Sequence, residues 1–290
     1  MCVFRPGFRR VGMNRERRFP RVPSTVLVLL ACLPGFIAVV ALALYAGGGD
    51  GAATASLAAR PEHPAVSPSP HSAHTAAKPR IVPRSAWLDA TASHPQPPPR
   101  YDDKVVAVFI HHTDSPNGYD CADAPRIIRA LYAGQTGARS WDDIGYNFLV
   151  DRCGTIYEGR AGGVDRAVTG AHTQGFNHRT AGIAALGTFT DGVVPKAMTD
   201  SIAALAAWKL GLADIDPRIK VHLVSSNSLS RYPAGQGAML PSLAAHQDGF
   251  MTSCPGAALI AKLPSIREAA ARLQGRTPTA TPQTGRRLLR

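Results

Sequence analysis

The 290-residue sequence has no internal repeat, which excludes a solenoid or a stacked array. It also lacks a basic face where a nucleic-acid binder would need one. The formal charge of +12 sits mainly at the ends: residues 1–23 carry seven arginines against Glu16, and residues 276–290 carry four arginines and no acid. Between them, residues 76–275 hold twenty basic and seventeen acidic side chains, so no nucleic-acid partner is expected. The basic ends suit anionic surfaces such as lipid headgroups or cell-wall polymers. Cysteine is scarce, at five, and after Cys2 and Cys32 in the N-terminal region an odd number remains: Cys121, Cys153 and Cys254. No free carboxylate base stands out either; Asp248 and Glu158 are the nearest candidates, and both read as structural.

Long apolar runs are absent except one. Ser24 to Ala46 (STVLVLLACLPGFIAVVALALYA) is uncharged and long enough to cross a bilayer of roughly 30 Å as a helix. The arginines before it put residues 1–23 in the cytoplasm and everything after Ala46 outside. A cleaved signal peptide competes with an anchor here, because Ala53-Thr54-Ala55 offers small residues for processing. Both readings export the rest of the chain, so the protein is expected to be extracytoplasmic, either membrane-anchored through residues 24–46 or secreted.

Residues 47–79 are rich in Ala, Pro, Ser and Gly without apolar periodicity and read as a linker. The irregularly spaced His63, His71 and His74 within it do not make a metal tract. Residues 80–273 read as one folded domain and 274–290 as a disordered basic tail. Within the domain, Lys104–Ile110 is a buried strand ending at a histidine pair, and a helix follows from Asp123 and Pro125 until Gly134 and Gly137. Strands are expected at Tyr146–Val150, Thr155–Glu158, Ala181–Phe189 and Val221–Val224. Helices are expected at Thr199–Leu212 and Ala257–Leu273, with a long loop before His246. Strands alternating with helices imply an α/β domain with a central mixed β-sheet flanked by helices.

His111 follows a buried strand, which fixes its position at the sheet's edge. His246 and Cys254 share the turn-rich segment HQDGFMTSCPG. Two imidazoles and a thiolate make a three-ligand zinc set with its fourth position open, the pattern of a catalytic site rather than a closed structural one. Bound Zn2+ would polarise a carbonyl and activate water, as amide hydrolysis requires. If Cys254 is a ligand, Cys121 and Cys153 are left to pair as a disulfide. Spacing alone leaves a cysteine nucleophile, Cys254 with a histidine base, as a rival.

These residues lie in motifs that resemble a known family. FIHHTDS, WDDIGYNFLVDRCGTIYEGR, GAHTQGFN and HQDGFMTSCPG stand in the order found in the peptidoglycan-recognition-protein and phage-lysozyme-type N-acetylmuramoyl-L-alanine amidases, and PRIVPRSAW is similar to the family's domain start. The resemblance covers about 80–273. It implies a monomeric zinc hydrolase that cuts the bond between N-acetylmuramic acid and the L-alanine of the stem peptide, with peptidoglycan as partner. The ligand positions fall on His111, His246 and Cys254, and the catalytic positions on Tyr146 and Thr252. His112, Asn147, His172 and Asn177 fall at substrate contacts, although a turn role for Asn177 and a buried hydrogen-bonding role for His112 also fit. A non-catalytic muropeptide-binding module of the same fold is the alternative. The second histidine departs from the family's GHRD-like context, reading Ala245-His246-Gln247-Asp248.

Overall fold

The computed structural model describes residues 73–277 apart from Ala90 and His94. The basic N-region 1–23, the apolar run 24–46, most of the expected linker and residues 278–290 lie outside the described residues. Among the described residues, no helix is long and apolar enough to cross a membrane.

A mixed sheet of six strands forms the centre: β1 (Ile81–Val82), β2 (Ala107–His112), β3 (Phe148–Val150), β4 (Ile156–Glu158), β5 (Thr180–Ala185) and β8 (Leu243–Ala245). They lie in the order β1-β4-β3-β5-β2-β8. Only the β3–β4 pair is antiparallel; β5, β2 and β8 run parallel, with Phe109 opposite Gly182 and His111 opposite Ala184. Every residue of β2 and β5 is buried, as parallel strands covered on both faces require.

Side-chain alternation sorts the two faces. Val108, Ile110, Phe148, Val150 and Ile183 face the helices α2 (Lys196–Gly211) and α5 (Leu263–Leu273), packing with Met198, Ile202, Leu205, Trp208 and Ile266. Each of these large side chains contributes roughly 1.5–3 kcal/mol by burial. The opposite face is divided. On one side Leu149, Ala184 and Leu186 pack under α1 (Ala124–Ala133) with Ile128, Tyr132 and Trp87. On the other, Ala107, Phe109 and Ala244 pack under Phe176 and the two-stranded sheet of β6 (Lys220–Val224) and β7 (Gly237–Pro241). His111, two residues after Phe109, therefore emerges on the divided face, and His112 on the helix-covered one.

Several boundaries move from the sequence expectation. The expected strand 104–110 starts later and includes both histidines, so His111 is held within the ladder rather than after it. α1 ends at Ala133 with Gly134 as its C-cap, as expected, but the chain then continues through a π-turn at Gly134–Ala138, where the Gln135 side chain accepts a bond from the Gly145 N–H. The strand expected from Ala181 to Phe189 ends at Ala185, where Gly187 takes positive φ. The expected long loop before His246 contains β7, antiparallel to β6, and then β8. The closing helix is broken into α4 (Ala257–Ile260) and α5.

Residues outside both expected ends of the domain also make contacts with it. Residues assigned to the linker lie on it: Lys78 pairs with Asp165 at 2.7 Å, and His74 Nδ1 lies 3.0 Å from an Asp214 carboxylate oxygen. At the other end, Gln274 is buried and donates to the carbonyls of Ala207 and Ile215, and Arg276 pairs with Asp214 at 2.7 Å. Cys121 and Cys153 form a disulfide, closing a loop over α1 and β3.

Candidate metal centre

Three side chains converge on the divided face. One ligand atom each from His111, His246 and Cys254 lies within 4.8 Å of the other two. The ladder places His111. His246 opens α3 (His246–Gly249), directly after β8, whose Ala245 pairs with Ile110 of β2. Adjacent parallel strands thus deliver two imidazoles side by side, with ring centroids 4.3 Å apart. Cys254 returns through a tight loop: the Gln247 N–H donates to the Cys254 carbonyl at 3.1 Å, and the His112 N–H donates to Cys254 Sγ at 3.3 Å. A backbone donor on sulfur favours the thiolate, the form that binds metal.

His111 is completely buried, and its Nδ1 has no hydrogen-bond partner. A buried imidazole nitrogen without a partner costs about 1–3 kcal/mol unless a bound group satisfies it. Its Nε2 is engaged instead, 3.3 Å from His172 Nδ1 and 3.4 Å from Thr173 Oγ1. Burial, then the neighbouring His246, His172 and His112, holds His111 well below the usual histidine range, so it is neutral. Burial likewise lowers His172 to about 3. A neutral His111 ring, tied back at one nitrogen and unpartnered at the other, beside a second imidazole and a thiol, fits a divalent cation such as zinc.

Above the cluster lies a cleft of about 700 Å³ whose lining includes Tyr146, His172, Asn177, His246, Phe250, Trp141 and Gln135. A second depression of about 780 Å³, with Arg100, Asp142, Asp143 and Arg160 in its lining, shares Trp141, Ala171 and Asn177 with it. The two are contiguous through these shared residues and form one groove of mixed polarity with the cluster at one end. Tyr146 stands beside the cluster, its ring centroid 5.2 Å from that of His111. The Arg160 N–H fixes the Tyr146 carbonyl at 2.8 Å.

Of the other expected site residues, His172 and Asn177 line the cleft, and Asn147, His112 and Thr252 are not among its lining residues. Asn147 is buried: its amide donates to the Val168 carbonyl and accepts from Gly182 N–H, bracing loop against sheet. His112 is buried on the other face, its Nδ1 accepting from Phe189 N–H at 3.2 Å, so it too is an internal hydrogen-bonding residue. Thr252 Oγ1 accepts from Cys254 N–H at 3.2 Å, which gives it a part in shaping the Cys254 loop. Asn177 lines the cleft, but its Oδ1 caps the turn by accepting from the N–H groups of His172 and Thr173. His172 lines the cleft and also supports His111. Asp248 accepts from Ala245 N–H and Glu158 from Arg84 N–H, both structural.

Sequence reasoning passed over Thr173, Phe250 and Trp141. Phe250 stacks on His246 with planes 12° apart, and its place four residues after a ligand histidine was the available signal. Trp141 and Thr173 lie within quoted motifs but carry no spacing rule of their own.

Comparison with known proteins settles the family. The sequence pattern of the N-acetylmuramoyl-L-alanine amidase family matches residues 101–257, more than half of the chain. The chain belongs to this amidase family. Among its relatives, peptidoglycan-recognition protein LB of Drosophila melanogaster is 30% identical over 190 residues, 64% of this chain and 68% of that protein. The N-acetylmuramoyl-L-alanine amidase of Mus musculus is 28% identical over 188 residues, 62% of this chain but 29% of that longer protein. Among solved structures, bumblebee PGRP-SA superposes with a TM-score of 0.50 at 25% identity, covering 64% of this chain and 95% of that one. The amidase-family fold is therefore common to enzymes and to proteins named for recognition, and the chemistry has to be argued from the residues of this site.

Proposed function

We propose that this chain is a zinc-dependent N-acetylmuramoyl-L-alanine amidase, hydrolysing the amide bond between N-acetylmuramic acid and L-alanine in peptidoglycan. The observation that carries this reading is the three-ligand cluster, with its buried His111 Nδ1 lacking a hydrogen-bond partner, at the end of a groove built from two contiguous depressions of about 700 and 780 Å³. His111, His246 and Cys254 would hold the ion. When bound, zinc supplies a Lewis acid that polarises the scissile carbonyl and lowers the pKa of water to about 7.

The chain's own residues supply the rest. Tyr146, fixed through its backbone beside His111, offers a phenol to the oxygen on which charge develops. His172 holds the His111 ring in orientation from behind, as an outer-shell partner does for a ligand histidine. The His112 and Thr252 contacts shape the Cys254 loop and set the sulfur. Asn177 stiffens the groove wall that the glycan and stem peptide would lie against. Cys254 is a poor candidate for a nucleophile, because it is buried at 1% exposure and does not line the cleft.

Peptidoglycan is the proposed partner and the extracytoplasmic space the proposed location, with one chain sufficient to build the site. The Cys121–Cys153 bridge fits an oxidising compartment, and the apolar run 24–46 fits an anchor or a processed signal. Cys254→Ala separates an enzyme from a binder of the same fold. An enzyme loses turnover and zinc while still binding muropeptide, whereas a binder is unchanged in every measurement.

A further inference from the structure

The hairpin loop between β6 and β7 is unused in the chemistry above, yet it grips both walls of the site. Its Ser226 N–H donates to the Gly175 carbonyl at 2.8 Å, in the segment that carries His172 and Asn177. Gly175 has φ of +90°, and a Cβ there would meet Ser230 Cβ at 2.6 Å and Ser225 Oγ at 2.7 Å, so hairpin and wall are packed in contact. Just after Ser230, the hairpin reaches the ligand loop. Arg231 N–H donates to the Gly249 carbonyl at 3.1 Å, its Nε to the Gln247 carbonyl at 2.9 Å, and its Nη2 to the Phe250 carbonyl at 3.3 Å.

Those three carbonyls lie at the C-terminal end of α3, a helix of one turn. The last carbonyls of any helix lack partners within it, and a cation there is favoured by the helix dipole. α3 begins with the ligand His246, and the chain returns to the ligand Cys254 five residues after its end. Phe250, whose carbonyl Arg231 holds, stacks on the His246 ring. A guanidinium that fixes the carbonyls of Gln247 and Phe250 at once therefore fixes the turn that sets the separation of two ligands.

We infer that Arg231 is a positioning residue for the metal site, bracing the His246–Cys254 loop from the β6–β7 hairpin so that the two ligands are preset for the ion. Arg231 is neither one of the three ligand residues nor one of the residues lining the groove. This inference rests on the zinc reading above and adds to it that part of the zinc affinity is set from outside the ligand motifs. Arg is required because two carbonyls three residues apart must be met by a forked donor, which a lysine ammonium cannot match.

The test measures zinc affinity by competition with a chromophoric chelator, for the full chain and for Arg231→Lys and Arg231→Met, with zinc-free stability followed in urea. The outer-shell contacts of metal ligands are generally worth about 10–100-fold in metal affinity. The expected order is parent, then Arg231→Lys, then Arg231→Met, with the last at least about tenfold weaker and the zinc-free urea midpoints unchanged. Two results overturn the inference: zinc dissociation constants within about twofold of the parent, against the tenfold expected of such a contact, or a zinc-free midpoint that falls in proportion to the affinity. A parent chain that binds no zinc defeats the proposed function itself, a result visible before any variant is made.

Discussion

Removing the Cys121–Cys153 bridge should cost this domain several kcal/mol without touching its chemistry. The bridge closes a loop of sequence separation 32 that contains α1, the π-turn and β3. In the chain-entropy treatment, a loop of that length restricts the unfolded chain by about 3.7 kcal/mol at 25 °C. The native geometry near Cys153 does not depend on the bridge. Asp151 Oδ1 accepts from the N–H groups of Cys153 and Thr155 at 2.9 Å each, and its Oδ2 accepts from the Tyr157 hydroxyl. The loss should therefore arise almost wholly in the unfolded state. For a domain of about 200 residues, with an unfolding entropy near 2.1 cal/mol/K per residue, about 3.7 kcal/mol corresponds to a fall in Tm of about 9 °C. The assay is urea and thermal unfolding of Cys121→Ser/Cys153→Ser against the parent, both stripped of metal so that zinc binding adds nothing to either. Turnover of muropeptide at room temperature, with zinc restored, should match the parent because neither cysteine lines the groove. A stability loss under about 1 kcal/mol would refute the reasoning, since the loop would then be constrained by residual structure in the unfolded chain.

Two further perturbations probe the core and the support of the site. Gly182 lies in the middle of β5, where an added Cβ would sit 2.7 Å from His172 Cδ2, 2.8 Å from His172 Cβ and closer still to Cγ. The strand is locked between β2 and β3, so Gly182→Ala should displace His172, cost about 1–3 kcal/mol in urea and weaken zinc binding through His111; parent-like behaviour in both measurements would contradict it. Lys209 is buried in α2, donating to the carbonyls of Val164 and Arg166, and burial lowers its pKa to about 8 from the usual 10.5. Below pH 8 both folded and unfolded states hold the proton; between 8 and 10.5 only the unfolded state does, so this residue's contribution to stability rises with pH across that window. Relative to Lys209→Met, the parent should gain about 3 kcal/mol between about pH 7 and pH 10.5, and parallel stability profiles would show that the amine is not desolvated as described.

The parts of the fold that sequence could reveal were those with a strong period or strong punctuation. The apolar run before the histidine pair marked β2, and the helical spacing of Ile202, Leu205 and Trp208 marked α2. The three converging side chains stood out because they occupy recognisable motifs and because an odd cysteine needed a role. The β6–β7 hairpin was read as strand then loop, because Gly237–Pro241 pairs a glycine and a proline with only three residues between and shows too little alternation to stand out. The hydrogen bonds of Asn147, His112 and Thr252 were not legible for a different reason. A polar residue next to a site residue reads the same whether its side chain turns toward the cleft or into the protein, and only the β2 register, the Asn147 bonds to Val168 and Gly182, and the turn at Thr252 show it. Arg231 had no signal, since its side-chain partners are backbone carbonyls sixteen and nineteen residues away.

The most direct measurement is the product of the reaction itself. Purified muropeptide is incubated with the full chain loaded with one equivalent of zinc, with the chain stripped by chelator, and with the stripped chain reloaded, and the products are identified by mass spectrometry. A zinc amidase releases free stem peptide with an N-terminal L-alanine and an intact glycan, loses that release on stripping and regains it on reloading. Muropeptide that stays intact with the loaded protein, or release that survives exhaustive zinc removal, would contradict it.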